Sequence, residues 1–480
     1  MVDSAGVQDH PEDRAGSAQR PRSLLVSGPN AHIAENNSGT VDRADTPRYR
    51  IWLAAVVSVL GARSFSAAAA FLCNVLVARQ LGNEDFGKFY LLFSIMTVVA
   101  GLTGPALDTS LVRFASKRLS DDPDSALPYF KAMLVVKLLV FAATLAFFVI
   151  LVRPILQTFF VWSADDPNAV RYYYVMAAFV GGAVVSMWGF SQSYFQSHQR
   201  FGEYSGFEFF SSLLRLGLVL VLMGLGSASV LLFITAYVAA PMCMMLISFS
   251  MLPRALFQAV ATRQVIAELF QFAKWVAAGT LFATLTHRLD ILLLNVSAFE
   301  IPHDDVGRYS AAVSIALAGE LVLLTFYNVL LPKASRLKTA VELRNFIAQL
   351  RIPSLLFFLG TTITMLIMPY FRKYVLGPEY LGAEVYYSIL IMGIGASITC
   401  MPPVTALYSV GKSGLIAGLE GTRMLLTLAI GLYVVPRYGA WGMAMTMAGV
   451  RGGMAVVTYL VAHQTIRILA NREWEVGDVV

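Results

Sequence analysis

Beyond its first fifty residues this chain is built almost entirely of apolar runs, each about as long as a lipid bilayer is thick. Inside hydrocarbon every backbone N–H and C=O must find a partner within the chain, so such runs fold as helices or as strands of a closed barrel. The runs lie at about residues 52–78, 88–111, 131–152, 170–192, 207–225, 229–251, 271–296, 309–331, 352–371, 385–408, 414–435 and 440–463. Their length suits helices. Twelve spans of about 20 residues use about 240 residues, which leaves room for short loops and no sizeable soluble domain. Hydrophobic residues are 57% of the chain and charged residues 14%, against about 25% charged in a soluble domain. The expected fold is all-α, a polytopic membrane protein of about 12 transmembrane helices in two six-helix lobes around a central cavity.

Residues 1–50 are rich in Ser, Gly, Asp, Arg and Pro without apolar period, and read as a disordered cytoplasmic tail with no signal peptide. An N-terminal six-helix lobe is expected over 51–251, an inter-lobe cytoplasmic loop over 252–270, a C-terminal six-helix lobe over 271–463 and a cytoplasmic tail over 464–480. Twelve spans put both termini on one side. In that register one set of loops holds Lys117, Arg118, Arg200, Arg254, Arg263, Lys333, Arg336, Lys338, Arg344 and Lys412; the other holds Arg79, Arg153, Arg372, Lys373 and Arg437. Positive loops stay inside, so both termini are expected in the cytoplasm. The net charge of +6 has the same cause and does not point to nucleic acid.

An internal repeat divides the spans. FGKFYLLFSI near residue 86 is echoed by VGRYSAAVSI near 306, an offset of 220. Each follows two acids, Glu84 and Asp85 or Asp304 and Asp305. SKRL at 116–119 and ASRL at 334–337 follow at an offset of 218. The offset covers six spans, an even number, so the halves are parallel repeats about an axis along the membrane normal.

Charges inside spans cost several kcal/mol and ask for a function or a partner. The interior set is Arg63, Lys137, Arg215, Arg288, Asp290, Glu320, Glu420, Arg423 and Arg451. Glu420 and Arg423, three apart, can neutralise one another. Arg288 and Asp290 face apart and need partners elsewhere. Arg63 shares a face with Asn74, Lys137 with Thr144, Glu320 with Tyr327 and Asn328, and Arg451 with Thr458; Thr280, Thr284, His287 and Arg288 line one stripe. Polar stripes must face protein or water, hence a central cavity. Its basic excess suits an anion, and a guanidinium fork suits phosphate or pyrophosphate. Structural pairing and snorkelling remain the alternative.

Helix breakers at Gly104–Pro105, Pro241 and Pro402–Pro403 fit either a cavity lining or a packing kink. His287 is open to a substrate contact or a structural role; the other histidines have no metal spacing. Cys73, Cys243 and Cys400 are isolated in apolar runs, which gives no zinc or redox pattern. ALYSVGKS near Lys412 lacks the first glycine of a phosphate loop, so no nucleotide site and no cofactor is expected.

The string ARQLGNEDFGKFYLLFSI at 78–95 resembles the opening signature of bacterial polysaccharide flippases of the multidrug/oligosaccharidyl-lipid/polysaccharide exporter superfamily. HRLDILLLN (287–295), VGRYSAA (306–312), LPKASRLK (331–338) and LGPEYLGAEVYYSIL (376–390) are similar to its later segments. The resemblance covers both halves and leaves out residues 1–50. It implies a non-enzymatic, alternating-access carrier of an undecaprenyl-pyrophosphate-linked oligosaccharide in the bacterial inner membrane, with a polysaccharide polymerase or export complex as a partner. Arg63, Lys137, Arg215, Arg288, Arg423 and Arg451 are carried over as its cationic cavity by chemistry alone; Asp290, Glu320 and Glu420 are candidates for proton coupling or ion pairing. Arg79 matches the signature's turn and reads as structural.

Rival readings are a drug/cation antiporter of the same superfamily, which calls for an acidic and aromatic cavity, and the lipid II flippase branch, which calls for fourteen spans. A membrane-embedded glycosyltransferase or polymerase calls for catalytic carboxylates and a large periplasmic loop. The two longest loops, near 252–270 and 332–351, fall on the cytoplasmic side and carry no acidic pair.

Overall fold

The computed structural model describes residues 46–119, 126–159, 168–334, 337, 339–410 and 412–470. Trp52–Val480 is one compact unit. The tail expected over 1–50 lies outside the described residues except for helical backbone from Thr46, as does 471–480.

Fourteen helices are described. The first half holds α1 (Thr46–Thr103), α2 (Pro105–Leu119), α3 (Leu127–Phe159), α4 (Asn168–Ser197), α5 (Phe201–Gly224) and α6 (Val230–Ser250). The short α7 (Arg254–Gln258) and the long α8 (Arg263–Leu294) follow. Then come α9 (His303–Ala334), α10 (Ala340–Gln349), α11 (Arg351–Phe371), α12 (Ala383–Thr399), α13 (Met401–Ser409) and α14 (Ser413–Ala470).

Eight stretches are long and apolar enough to cross a membrane, and the bent pair α12–α13 makes a ninth. Two of the eight, one running through α1 into α2 and one inside α14, each hold two spans folded back on one another. α1 turns at Gly82, where φ is 75° and ψ is −179°, a backbone shape open to glycine alone. Asn74 before the turn and Phe93 after it both touch Tyr237 of α6. α14 turns at Gly439, with Val434 folded against Gly442. With these halves separated and α9 added, the helices correspond to the twelve expected spans.

α1–α6 pack as one bundle and α8–α14 as the other. α11 turns Ile352, Leu355, Leu356, Leu359, Ile363, Leu366 and Ile367 outward. On a soluble protein that face would drive association; in a bilayer it faces lipid. Tyr370, Tyr374, Tyr433, Tyr438 and Trp441, all exposed, gather near the α11 end and the α14 turn, as aromatic side chains do at a membrane–water boundary.

The breakers behave differently from one another. Gly104 and Pro105 separate α1 from α2, and α12 meets α13 at 47° just before Pro402 and Pro403. Pro241 stays inside a continuous α6. The segment expected as an inter-lobe loop over 252–270 is largely helical and docked. Leu256 of α7 is fully buried, Lys131 donates to the Phe257 carbonyl at 2.9 Å, and Tyr129 donates to Glu268 of α8 at 2.8 Å. α8 begins two turns earlier than expected because Thr262 caps it, accepting from the Val265 N–H.

Gly82→Ala is expected to lower the melting midpoint of the purified protein, through about 1–3 kcal/mol of backbone strain. Gly61→Ala, in a helical position with no atom within 4 Å of the added carbon, is expected to leave it unchanged or raise it. Equal midpoints for the two variants would contradict the turn assignment.

Candidate functional site

The repeat read at offset 220 is a physical symmetry. Lys88 pairs with Glu84 and Asp85 at 3.1 and 2.9 Å, and Arg308 pairs in the same pattern with Asp304 and Asp305 at 4.0 and 3.1 Å. Between them Gly87 lies against Gly307: a β-carbon on Gly87 would sit 3.3 Å from the Gly307 Cα. The two bundles therefore meet backbone to backbone here. Asn83 donates to the Asp304 carbonyl at 2.9 Å and Tyr380 to the Ala78 carbonyl at 2.7 Å. A recess of about 790 Å³, lined by Asn83, Glu84, Asp85, Lys88, Asp304, Arg308 and Glu379, opens over this contact.

Further along the spans the expected cations divide into two groups. Three are paired with carboxylates. The Lys137 ammonium is fully buried, 2.6 Å from Asp108 and 2.8 Å from the Ser186 carbonyl, to which it donates. Arg423 pairs with Glu420 on its own helix at 2.8 Å. Arg451 pairs with Glu320, whose Oε1 also lies 3.3 Å from His287 Nδ1. Asp290 is held by the Tyr309 hydroxyl at 3.0 Å and the Ile291 N–H at 2.8 Å. His287, Asp290, Glu320 and Arg451 line a cavity of about 30 Å³, room for about one water and no more.

The other three cations, Arg63, Arg215 and Arg288, have no carboxylate within ion-pair distance among the described residues. Each lies against a tyrosine ring instead. Arg63 donates to the Tyr204 hydroxyl at 2.8 Å, with its guanidinium 5.9 Å from the ring centroid. Arg215 stands 5.4 Å from the Tyr237 centroid, beside the Cys73 thiol. Arg288 donates to the Tyr90 hydroxyl at 3.2 Å and stands 5.2 Å from the Phe93 centroid. Phe93 meets Tyr237 edge-on at 5.6 Å, so Arg215 of the first bundle and Arg288 of the second flank one aromatic pair. The Nε atoms of Arg215 and Arg288 are buried without a hydrogen-bond partner. An aromatic face is worth about 2 kcal/mol to a desolvated cation and leaves its charge in place, whereas a carboxylate cancels it.

The stripes fall as follows. Arg63 and Asn74 both face the α5–α6 side, Asn74 accepting from Tyr237 at 2.7 Å. Thr284 packs on Gly101 of the first bundle. Thr144 and Thr458 bond to their own helix backbones. The side chains of Tyr327 and Asn328 lie outside the described set, and Arg79 is exposed beside the Gly82 turn. Two carboxylates were not singled out from sequence. Asp108 follows the Gly104–Pro105 break, and Glu208 on α5 accepts from Ser66 of α1 at 3.4 Å. Their position inside apolar spans is the signal that could have found them. The tyrosines carry no such mark, since nothing in an apolar helix distinguishes a tyrosine beneath an arginine from one in the core.

Among the described residues no cluster of metal-ligating side chains is present. Two bundles of membrane helices, related by a repeat and touching at Gly87–Gly307 and again where α8 packs on α2 and α3, make up the fold. The lipid II flippase MurJ in an inward closed conformation is similar over 84% of this chain and 86% of its own, with 13% identity and a TM-score of 0.60. An inward-facing multidrug resistance MATE family transporter of the MOP superfamily is similar over 84% and 96%, with 14% identity and a TM-score of 0.64. A MOP superfamily transporter from Pyrococcus furiosus, described by the reverse polarity of its binding pocket, is similar over 86% and 96%, with 14% identity and a TM-score of 0.55. These likenesses concern the fold. In sequence the chain matches the polysaccharide biosynthesis protein family over residues 53–338, and it belongs to that family. No curated protein matches it significantly in sequence.

Removing one partner of a buried ion pair costs about 3–5 kcal/mol, while replacing both with neutral groups is often close to neutral. Asp108→Asn or Lys137→Met alone is therefore expected to lower the melting midpoint and the amount of protein in the membrane. The double variant is expected to recover both. A double variant no better than the worse single would show that the pair is not self-contained.

Proposed function

We propose that this protein is a flippase that carries an undecaprenyl-pyrophosphate-linked oligosaccharide repeat unit across the bacterial inner membrane for surface polysaccharide assembly. The observation that carries the reading is the set of three arginines, Arg63, Arg215 and Arg288, which face aromatic rings in place of carboxylates. Arg288 is buried and Arg215 half-buried, where a pyrophosphate gains most from a guanidinium fork, while Arg63 stands exposed at the Tyr204 hydroxyl. The family supplies the polysaccharide context, and the fold supports alternating access. The lipid-linked head group is taken between the bundles while the polyprenyl tail stays in the bilayer. Both termini are assigned to the cytoplasm from the loop charges, and a polymerase or export complex receives the product.

Within this reading Lys137, Arg423 and Arg451 have a smaller part in binding than the other three, because each already has a carboxylate. The same pairing weakens the drug/cation antiporter reading. Glu320 and Glu420 face cations and Asp290 faces a hydroxyl and an N–H, so these three carboxylates offer little free negative charge to a cationic drug. Proton coupling, if it runs through Asp290, Glu320 or Glu420, uses groups that are already engaged.

The test is made in the producing cell. Loss of the protein is expected to accumulate lipid-linked repeat units on the cytoplasmic leaflet and abolish surface polysaccharide. Arg63→Ala, Arg215→Ala and Arg288→Ala are each expected to reproduce that loss at unchanged membrane levels, with Lys at the same positions restoring only part. Full surface polysaccharide in all three Ala variants would contradict the anion site.

A further inference from the structure

We infer that the paired glycines of the repeat, Gly87 and Gly307, form the seal that shuts the transport path at the Gly82 end and must part in every transport cycle. The inference rests on the alternating-access reading above. The contact lies where the first hairpin turn of one bundle meets the start of α9 in the other, so the two repeat-equivalent residues that face each other here both lack side chains. A larger residue at either place would hold the bundles apart. At Gly87 the added carbon would be 3.3 Å from the Gly307 backbone, and at Gly307 it would overlap the Asn83 carbonyl oxygen.

The charges around the seal explain how it can open repeatedly. Lys88 and Arg308 are each matched by two acids of their own helix. None of these ion pairs crosses between the bundles. The polar contacts that cross here, Asn83 to the Asp304 carbonyl and at 3.4 Å to its carboxylate, and Tyr380 to the Ala78 carbonyl, are hydrogen bonds from neutral donors, which water in the recess above can replace. Parting the bundles here therefore separates no ion pair. It replaces three hydrogen bonds and a close backbone contact with water, which costs little. The arginine–tyrosine contact of Arg288 with Tyr90 lies one turn below the seal on α1, so opening here also uncovers that arginine. A repeat that keeps glycine at both positions, and an acid–acid–basic set around each, matches a contact that closes tightly and opens easily.

The experiment places spin labels on Glu84→Cys and Asp304→Cys, both exposed at the rim of the recess, in a background with Cys243→Ala. Of the three native cysteines Cys243 alone is not buried. The full-length protein in lipid is expected to give a short distance together with a longer population. Adding Gly307→Val is expected to raise the ratio of long to short by roughly tenfold or more, because the wedge acts only on the closed state. A short reducible thiol cross-linker across the same pair is expected to cut transport at least about tenfold and reductant to restore it, as for any step that needs a gate to move. Unchanged distances with Gly307→Val, or full transport by the cross-linked protein, would show a fixed pivot and overturn the proposal. If the unlinked protein moves no lipid-linked sugar, the flippase reading fails, and the distances still decide whether the glycine contact opens.

Discussion

A charge in hydrocarbon has to be compensated, and the way each one is compensated organises this molecule. Lys137 is buried completely and is held by Asp108 and a carbonyl. Arg423 and Arg451 lean on Glu420 and Glu320. These pairs bring charge to zero locally, and those of Lys137 and Arg451 also tie helices together, at a desolvation cost that their mutual attraction roughly offsets. Arg63, Arg215 and Arg288 are compensated by polarisable rings and hydroxyls, which stabilise the cation without cancelling it. The difference separates cations whose charge a carboxylate cancels from those whose charge is left in place, and the latter are the proposed anion site.

The aromatic contacts also join the two halves. Arg288 belongs to α8 and its ring partners Tyr90 and Phe93 to α1, while Phe93 in turn meets Tyr237 and so the ring beneath Arg215. A ligand that drew Arg288 away from Tyr90 would loosen a contact between bundles just below the place where they meet through Gly87 and Gly307. Binding and opening are then linked by shared residues, which is the physical content an alternating-access carrier needs. The docked α7 and the start of α8 bind the linker to the first bundle, and the rest of α8 packs on α14.

Much of the fold was legible because lipid leaves a chain few choices. Apolar runs of bilayer length had to be helices, and the repeat at offset 220 had to relate two halves. The turns at Gly82 and Gly439 fall in the gaps between expected spans, where Arg79, Asn83, Glu84 and Asp85, or Pro436 and Arg437, interrupt the apolar sequence. The linker reads as a loop over 252–270 because Arg254, Arg263 and Glu268 lower its hydropathy; tertiary contacts with Tyr129 and Lys131 make it helical and docked. The charged residues inside spans were legible as a set. Glu420 with Arg423 was legible from their spacing of three; what was not legible is which carboxylates Lys137 and Arg451 find, because Asp108 and Glu320 reach them from other helices. The division between paired and unpaired arginines is a property of packing.

The most direct measurement of the central claim uses purified protein in vesicles loaded with a fluorescent polyprenyl-pyrophosphate-linked sugar, with flipping followed by quenching from outside. The account predicts flipping by the unaltered protein, competition by inorganic pyrophosphate, and loss of both when Arg63, Arg215 and Arg288 are replaced together by Gln. It also predicts that the double variant Asp108→Asn with Lys137→Met still flips, because that pair only cancels itself. Undiminished flipping by the triple Gln variant would show that the arginines without a carboxylate partner do not receive the pyrophosphate.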